Sequence, residues 1–214
     1  MRHVDSQHRC PRCEIRQPLC FCDFIPQITV PTRVIILMHT AEQMLTTNTA
    51  KLAAKALTNC DLRIRGKKGE TSCTKILSPA GGNSLLLYPS AHAQELNADF
   101  ARKLSFPVNL IVPDGSWSQT RKFVRRDEAL AGIPHVKLPK GTPSAYRLRL
   151  QPQEEGLCTL EAIARSLGIL ESQNVQRQLE NLLRVMVERT LWSRGMLGAD
   201  ECTAGGIPQA AFFS

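Results

Sequence analysis

Two groups of residues in this chain have the types and spacing that chemistry requires. The first is a set of thiols, Cys10, Cys13, Cys20 and Cys22, with two residues inside the first pair and one inside the second. Four thiolates drawn together suit a tetrahedral zinc ion, which supplies folding free energy where a segment is too short to build its own core. Arg9, Arg12 and Arg16 lie among them and favour the thiolate forms electrostatically. A closed four-thiolate site leaves no position for a reacting water, so such a site is not catalytic. Four free or redox-active thiols are the competing reading, kept open by the single residue between Cys20 and Cys22.

The second group begins at Asp114-Gly115-Ser116-Trp117, which follows an apolar run and opens a helical pattern. Ligands of open α/β sheets bind beyond the carboxyl ends of strands, so an acid there has access to a substrate. Trp117 can form a cavity wall. A turn at Asp114-Gly115 with Ser116 capping the helix describes the same residues equally well. Arg121, Lys122, Arg125 and Arg126 follow at once, either as phosphate contacts or as a solvated face. Further on, Ser144-Ala145-Tyr146-Arg147-Leu148-Arg149 combines an aromatic with two more guanidiniums. Cys158-Thr159-Leu160-Glu161-Ala162 then opens a helix whose free N–H groups can hold polar atoms of a nucleoside or an amino acid.

The elements that must position these residues alternate. Near-continuous apolar runs predict buried parallel strands over 32–38, 85–88 and 108–112, with shorter strands over 61–65 and 135–138. Helices are expected over 48–57, 93–102 and 116–126. Thr159 reads as the N-cap of another helix, running to 167. A last helix carries Val175, Leu179, Leu182, Leu183, Met186 and Val187 at helical spacing. Loops are expected around Gly66-Lys67-Lys68-Gly69 and from 139 to 156. This alternation predicts an α/β fold with a largely parallel sheet. Residues 1–30 read as a Cys-rich module, 31–195 as the main domain and 196–214 as a tail.

With 214 residues, 43% of them hydrophobic and 21% charged, the chain has room for one sizeable α/β domain and a small appendage. No apolar run approaches the roughly 20 residues that cross a bilayer. Met1-Arg2-His3-Val4-Asp5 carries no apolar core of the secretory kind, so a cytoplasmic location is expected. The formal charge of +8 and pI near 9.3 argue for a polyanionic partner.

Taken in chain order, these segments resemble the DTW-domain family, related to the SPOUT class of knotted RNA-modifying enzymes, and its bacterial tRNA-uridine aminocarboxypropyltransferases. The resemblance runs from the cysteine cluster and Pro26 through His39-Thr40-Ala41-Glu42, Asn48-Thr49 and Leu87-Tyr88-Pro89. It continues through Asp114 to Trp117 with Arg121-Lys122, then 144–149, then Cys158-Thr159-Leu160-Glu161, ending near Leu191. One departure stands out: the usual Thr of the signature is Ser116 here, which keeps the hydroxyl and loses a methyl.

The resemblance implies a SPOUT-like sheet with a trefoil knot, an exception to the rule against threaded chains. It implies S-adenosylmethionine as cofactor, held by Leu87, Tyr88, Pro89, Asp114, Gly115, Ser116, Trp117, Leu138, Tyr146, Arg147, Cys158, Thr159 and Ala162. Asp114, Ser116 and Trp117 are the implied catalytic residues. A tRNA is the implied partner, its phosphates met by Arg9, Arg12, Arg121, Lys122, Arg125 and Arg126, and the cysteines the implied zinc ligands. The implied reaction moves the aminocarboxypropyl group to uridine N3, with Asp114 as proton acceptor or orienting group, and releases methylthioadenosine. Three other readings stay open: an S-adenosylmethionine-dependent RNA methyltransferase, a zinc-stabilised RNA binder without activity, and aminocarboxypropylation of ribosomal RNA.

Overall fold

A computed structural model describes residues 9–66, 83–148 and 156–213. The expected loop at 67–69 and Arg149 lie outside those residues. The chain forms β1 (Arg33–His39), α1 (Thr49–Ala56), β2 (Cys60–Arg65), β3 (Asn83–Leu87) and β4 (Gln94–Glu95). It continues with α2 (Ala98–Ala101), β5 (Val108–Asp114), α3 (Trp117–Arg126), β6 (His135–Lys137), α4 (Thr159–Leu170) and α5 (Gln173–Ser193). The strands make one sheet in the order β2-β1-β5-β3-β6-β4, and every pairing is parallel.

The apolar runs become the central strands because both faces of this sheet are covered. Alternate side chains of β1, β3 and β5 point to opposite faces. Val34, Ile36, Met38, Leu85, Leu110 and Val112 enter the large core with α1, α4 and α5. Ile35, Leu37, Leu86 and Ile111 enter a smaller core closed by Leu130 and by Phe123 and Val124 of α3. The helix after β1 therefore lies on one face and the helix after β5 on the other. Register puts three strand ends side by side: Met38 is opposite Asp114, and His39 is opposite Arg65.

The helix expected over 93–102 is only Ala98–Ala101, preceded by the edge strand Gln94–Glu95. The physical reason is local. Leu96 is fully buried and its N–H donates to the Lys137 carbonyl at 2.8 Å, which holds the segment extended. Asn97 then accepts from the Phe100 N–H at 2.9 Å and starts the helix late. Tertiary pairing overrides propensity at this edge.

The Cys-rich segment and the C-terminal tail join the large core. Leu19 and Phe21 are each 1% exposed, and Ala204 and Ala211 pack with them. Arg189 of α5 ties the three together, with burial lowering its pKa. Its guanidinium donates to the carbonyls of Leu19 and Cys20 on one side and of Gly205 and Gly206 on the other. Its plane also lies 5.0 Å from the Phe24 ring centroid. Replacing Arg189 by Met leaves these buried carbonyls without a charged donor, an expected cost of about 3 kcal/mol. Urea unfolding should show it as a lower midpoint, and Arg189→Lys should recover only part of the loss.

Candidate functional site

The four thiols of the N-terminal segment converge. Cys10 Sγ is 3.5 Å from both Cys20 and Cys22, Cys13 Sγ is 3.8 Å from Cys20, and all four sulfurs lie within 4.8 Å of one another. A tetrahedron with Zn–S bonds of 2.3 Å has edges of about 3.8 Å, so the set fits such an ion. A turn closes the first pair: Glu14 N–H donates to the Cys10 carbonyl at 2.9 Å, with Glu14 at φ of 62°. The Glu14 carboxylate then reaches Lys51 and Lys55 of α1 at 2.9 and 3.3 Å, fastening the turn to the main domain.

Ionising all four of these thiols calls for a cation among them. Burial raises the Cys10 pKa, but backbone N–H donors at Cys13 and Arg12, together with the Cys22 and Cys13 thiols, outweigh it and bring the thiol down to about 6. Burial pushes Cys13 up to about 11 and Cys22 upward as well, the neighbouring sulfurs adding to both. Four anions this close repel one another, so full ionisation needs a positive charge between them.

Asp114 ends β5 at 7% exposure, and its carboxylate joins three elements. Oδ2 accepts from Asn48 Nδ2 at 3.0 Å, and Oδ1 accepts from the Thr159 hydroxyl. Asn48 is the N-cap of α1, its own Oδ1 accepting from Lys51 N–H at 2.9 Å. Thr159 is the first residue of α4, whose N-cap is Cys158 rather than the expected Thr159. Relieved of capping, the Thr159 hydroxyl is available to Asp114. Glu161, only 3% exposed, completes the arrangement. Its carboxylate accepts from Ser144 Oγ at 2.6 Å, Ala145 N–H at 2.6 Å and Cys158 N–H at 3.0 Å. Tyr146, in the same loop, donates its hydroxyl to the Thr47 carbonyl at 3.1 Å.

The other expected cofactor contacts divide. Tyr88 and Trp117 meet, ring centroids 6.5 Å apart, and Tyr88 also meets His135 edge-on at 5.9 Å. His92 faces His135 at 4.5 Å, and burial with this neighbour lowers the His135 pKa. Trp117 is 40% exposed, so it offers a free aromatic face. Leu87, Leu138 and Ala162 are half-buried, whereas Pro89 and Arg147 are exposed. Ser116 caps α3: its hydroxyl accepts from Gln119 N–H at 3.3 Å while Gln119 Oε1 accepts from Ser116 N–H at 2.7 Å. The cap read at Ser116 is present, and the acid two residues before it is buried at the strand's end. Gly115 between them has φ of 156°, and a Cβ there would meet Gln119 Oε1 and His39 Cβ, each at 3.1 Å.

Beside Asp114 a cleft of about 500 Å³ opens between the ends of β1, β2 and β5 and the flank of α3. His39, Arg65, Asp114, Lys122, Phe123 and Arg126 are among its walls. Arg65 is only 9% exposed at its side chain, pairs with Asp127 and lies 5.6 Å from the Phe123 centroid. Arg9 donates to the Glu14 carbonyl at 2.9 Å, and Arg12 is exposed. Asn48, His39, Arg65 and Phe123 were not among the expected site residues. Asn48 and His39 sit inside segments that resemble the family, which is the one signal that could have found them. The Arg65–Asp127 pair spans 62 positions and leaves no local trace.

Residues 7–191 match the DTW domain model, and the chain belongs to the DTW-domain family. It is 29% identical over 189 residues to a Mus musculus protein named tRNA-uridine aminocarboxypropyltransferase 2, covering 86% of this chain and 63% of that one. It is 31% identical to the Macaca fascicularis protein of the same name, over 82% of this chain and 60% of that one. The chain thus spans about three-fifths of these two relatives' length. A Drosophila melanogaster protein of that name is 29% identical, covering 81% of this chain and 71% of that one. The fold matches a solved Vulcanisaeta distributa protein titled SAM-dependent rRNA:acp-transferase Tsr3, with a TM-score of 0.52, 18% identity and coverage of 86% and 89%.

Two outcomes are expected from this geometry. The intact protein should carry one zinc per chain by elemental mass spectrometry, and Cys13→Ser should lose it with a fall in melting temperature. Gly115→Ala should displace His39 or Gln119 and lower stability by about 1–3 kcal/mol in thermal unfolding, more than an exposed Gly132→Ala.

Proposed function

We propose that this chain is a tRNA-uridine aminocarboxypropyltransferase, moving the 3-amino-3-carboxypropyl group of S-adenosylmethionine to N3 of a tRNA uridine. The observation that carries the reading is Asp114: a buried carboxylate at the rim of the sheet, gripped from two helices, that still opens on a cleft with cationic walls. The names of the relatives agree with it. The expected location is the cytoplasm; among the described residues no helix is long and apolar enough to cross a membrane.

The site fits the cofactor in its donor chemistry. The carboxylate of Asp114, held in orientation by Asn48 and Thr159, is an anionic group that suits a cationic ligand. Thr159 meets the acid from the α4 side, Cys158 and Tyr146 are fastened nearby through Glu161 and Thr47, and Tyr88 and Trp117 offer aromatic faces. Bound there, S-adenosylmethionine supplies an electrophilic carbon beside a sulfonium sulfur, with methylthioadenosine as the departing product. The chain's residues do the rest by placement, because geometry decides which of three carbons is attacked.

Asp114 accepts the uridine N3 hydrogen. Donors on both carboxylate oxygens fix its plane, so it presents an oriented acceptor, and the N3 proton passes to it as the base attacks. Glu161 holds the loop at 144–146 against the start of α4 and so keeps the cofactor wall in register with Asp114. Ser116 acts through the cap of α3, which sets where Trp117 stands. The zinc module stabilises the fold and adds the exposed Arg12 to the RNA-facing charge.

Cofactor labelled on the carboxyl carbon should transfer label to tRNA, and cofactor labelled on the methyl should not. Label entering only from the methyl would replace this reading with methyl transfer. Asp114→Asn should lower single-turnover rate by about 100-fold or more while tRNA affinity stays within threefold.

A further inference from the structure

The four cations of α3 do not share a face. Lys122 and Arg126 stand one helical turn apart and line the cleft with Phe123 between them, whereas Arg121 and Arg125, a turn apart on another side, do not. Lys122 and Arg126 are exposed, and neither side chain has an ion-pair or hydrogen-bond partner among the described residues. Arg65 is different: its charge is taken up by Asp127 and its guanidinium lies over Phe123.

The cleft also occupies a defined place in the topology. α1, which follows β1, packs on the large core, and α3, which follows β5, packs on the small one. β1 and β5 are neighbours, so their connections leave the sheet in opposite directions and open a crevice between the strand ends. Open α/β sheets bind ligands at such a switch point. Here its floor is His39 and Asp114, and its volume of about 500 Å³ lies in the range that admits one nucleotide.

We propose that this crevice receives the target nucleotide of the RNA, out of its stack, with Lys122 and Arg126 on the flanking phosphates and the base directed down to Asp114. Phe123, braced by Arg65, forms the side wall. The inference rests on the proposed transfer to uridine. It adds the entry side, between β1, β2 and α3, and divides α3 into a gripping face and a face that contributes only general charge.

Filter binding of full-length protein to an unmodified tRNA transcript, across a salt series, tests the division. Lys122→Ala/Arg126→Ala should weaken binding at least tenfold and flatten the salt slope by about two units. Arg121→Ala/Arg125→Ala removes the same charge from the same helix and should weaken binding several-fold less. Calorimetry should find S-adenosylmethionine affinity of the first variant within twofold of wild type. Equal losses from both pairs, an unchanged slope in the first, or weaker cofactor binding in the first would each overturn the assignment. Because the primary readout is RNA affinity, it remains decisive even if the labelled-cofactor experiment shows methyl transfer.

Discussion

A carboxylate at a strand end can be an ordinary turn residue or the organising group of a site, and the difference lies in what its two oxygens hold. Asp114 takes one hydrogen bond from Asn48, the cap of α1, and one from Thr159, the first residue of α4. The chain segments it joins are separated by 66 and 45 positions, so this buried acid fixes how two helices approach one strand. Glu161 repeats the device one turn along α4, gathering Ser144, Ala145 and Cys158. Bonds of this kind are costly to leave half made in a buried setting. The site is therefore as rigid as the helix starts that build it.

Much of this could be read from residue order. The apolar runs at β1 and β5 could only be buried strands, and the Asp-Gly-Ser-Trp string marked both a helix start and an acid at a strand's end. The convergence of Cys10, Cys13, Cys20 and Cys22 followed from their spacing, even with one residue in the second pair. What spacing could not show was side-chain choice at equal local propensity. Thr159 reads as the N-cap of α4, and only the position of Asp114 decides that it turns away from capping and leaves that place to Cys158. Likewise Leu96 is drawn into the core by β6, a pairing that no local pattern encodes.

The zinc-type cluster and the tail belong to the same problem of closure. A short segment with four thiols has little apolar surface to bury, yet Leu19 and Phe21 are almost wholly covered. They are covered by the main domain, through Arg189 and through the Glu14 contacts to α1. A metal ion there would set the shape of the turn while α1, α5 and the C-terminal tail cover it, a division that differs from a free-standing zinc finger. Since α1 begins at Asn48, the module braces the helix whose cap holds Asp114.

The two faces of the sheet explain why one acid can serve two neighbourhoods. Side chains alternate along β5, so Asp114 falls on the face of α1 and α4, while α3 departs to the opposite face immediately afterwards. Gly115 eases that reversal, for a Cβ there would crowd His39 and Gln119. Asn48 and Thr159 then hold Asp114 from one side, and the crevice with Phe123 and Lys122 reaches it from the other. The proposed transfer calls for such an arrangement, in which donor and acceptor meet at one point without sharing a wall. The four residues from Asp114 to Trp117 combine an acid at the strand's end, a glycine that turns, a hydroxyl that caps and an exposed indole.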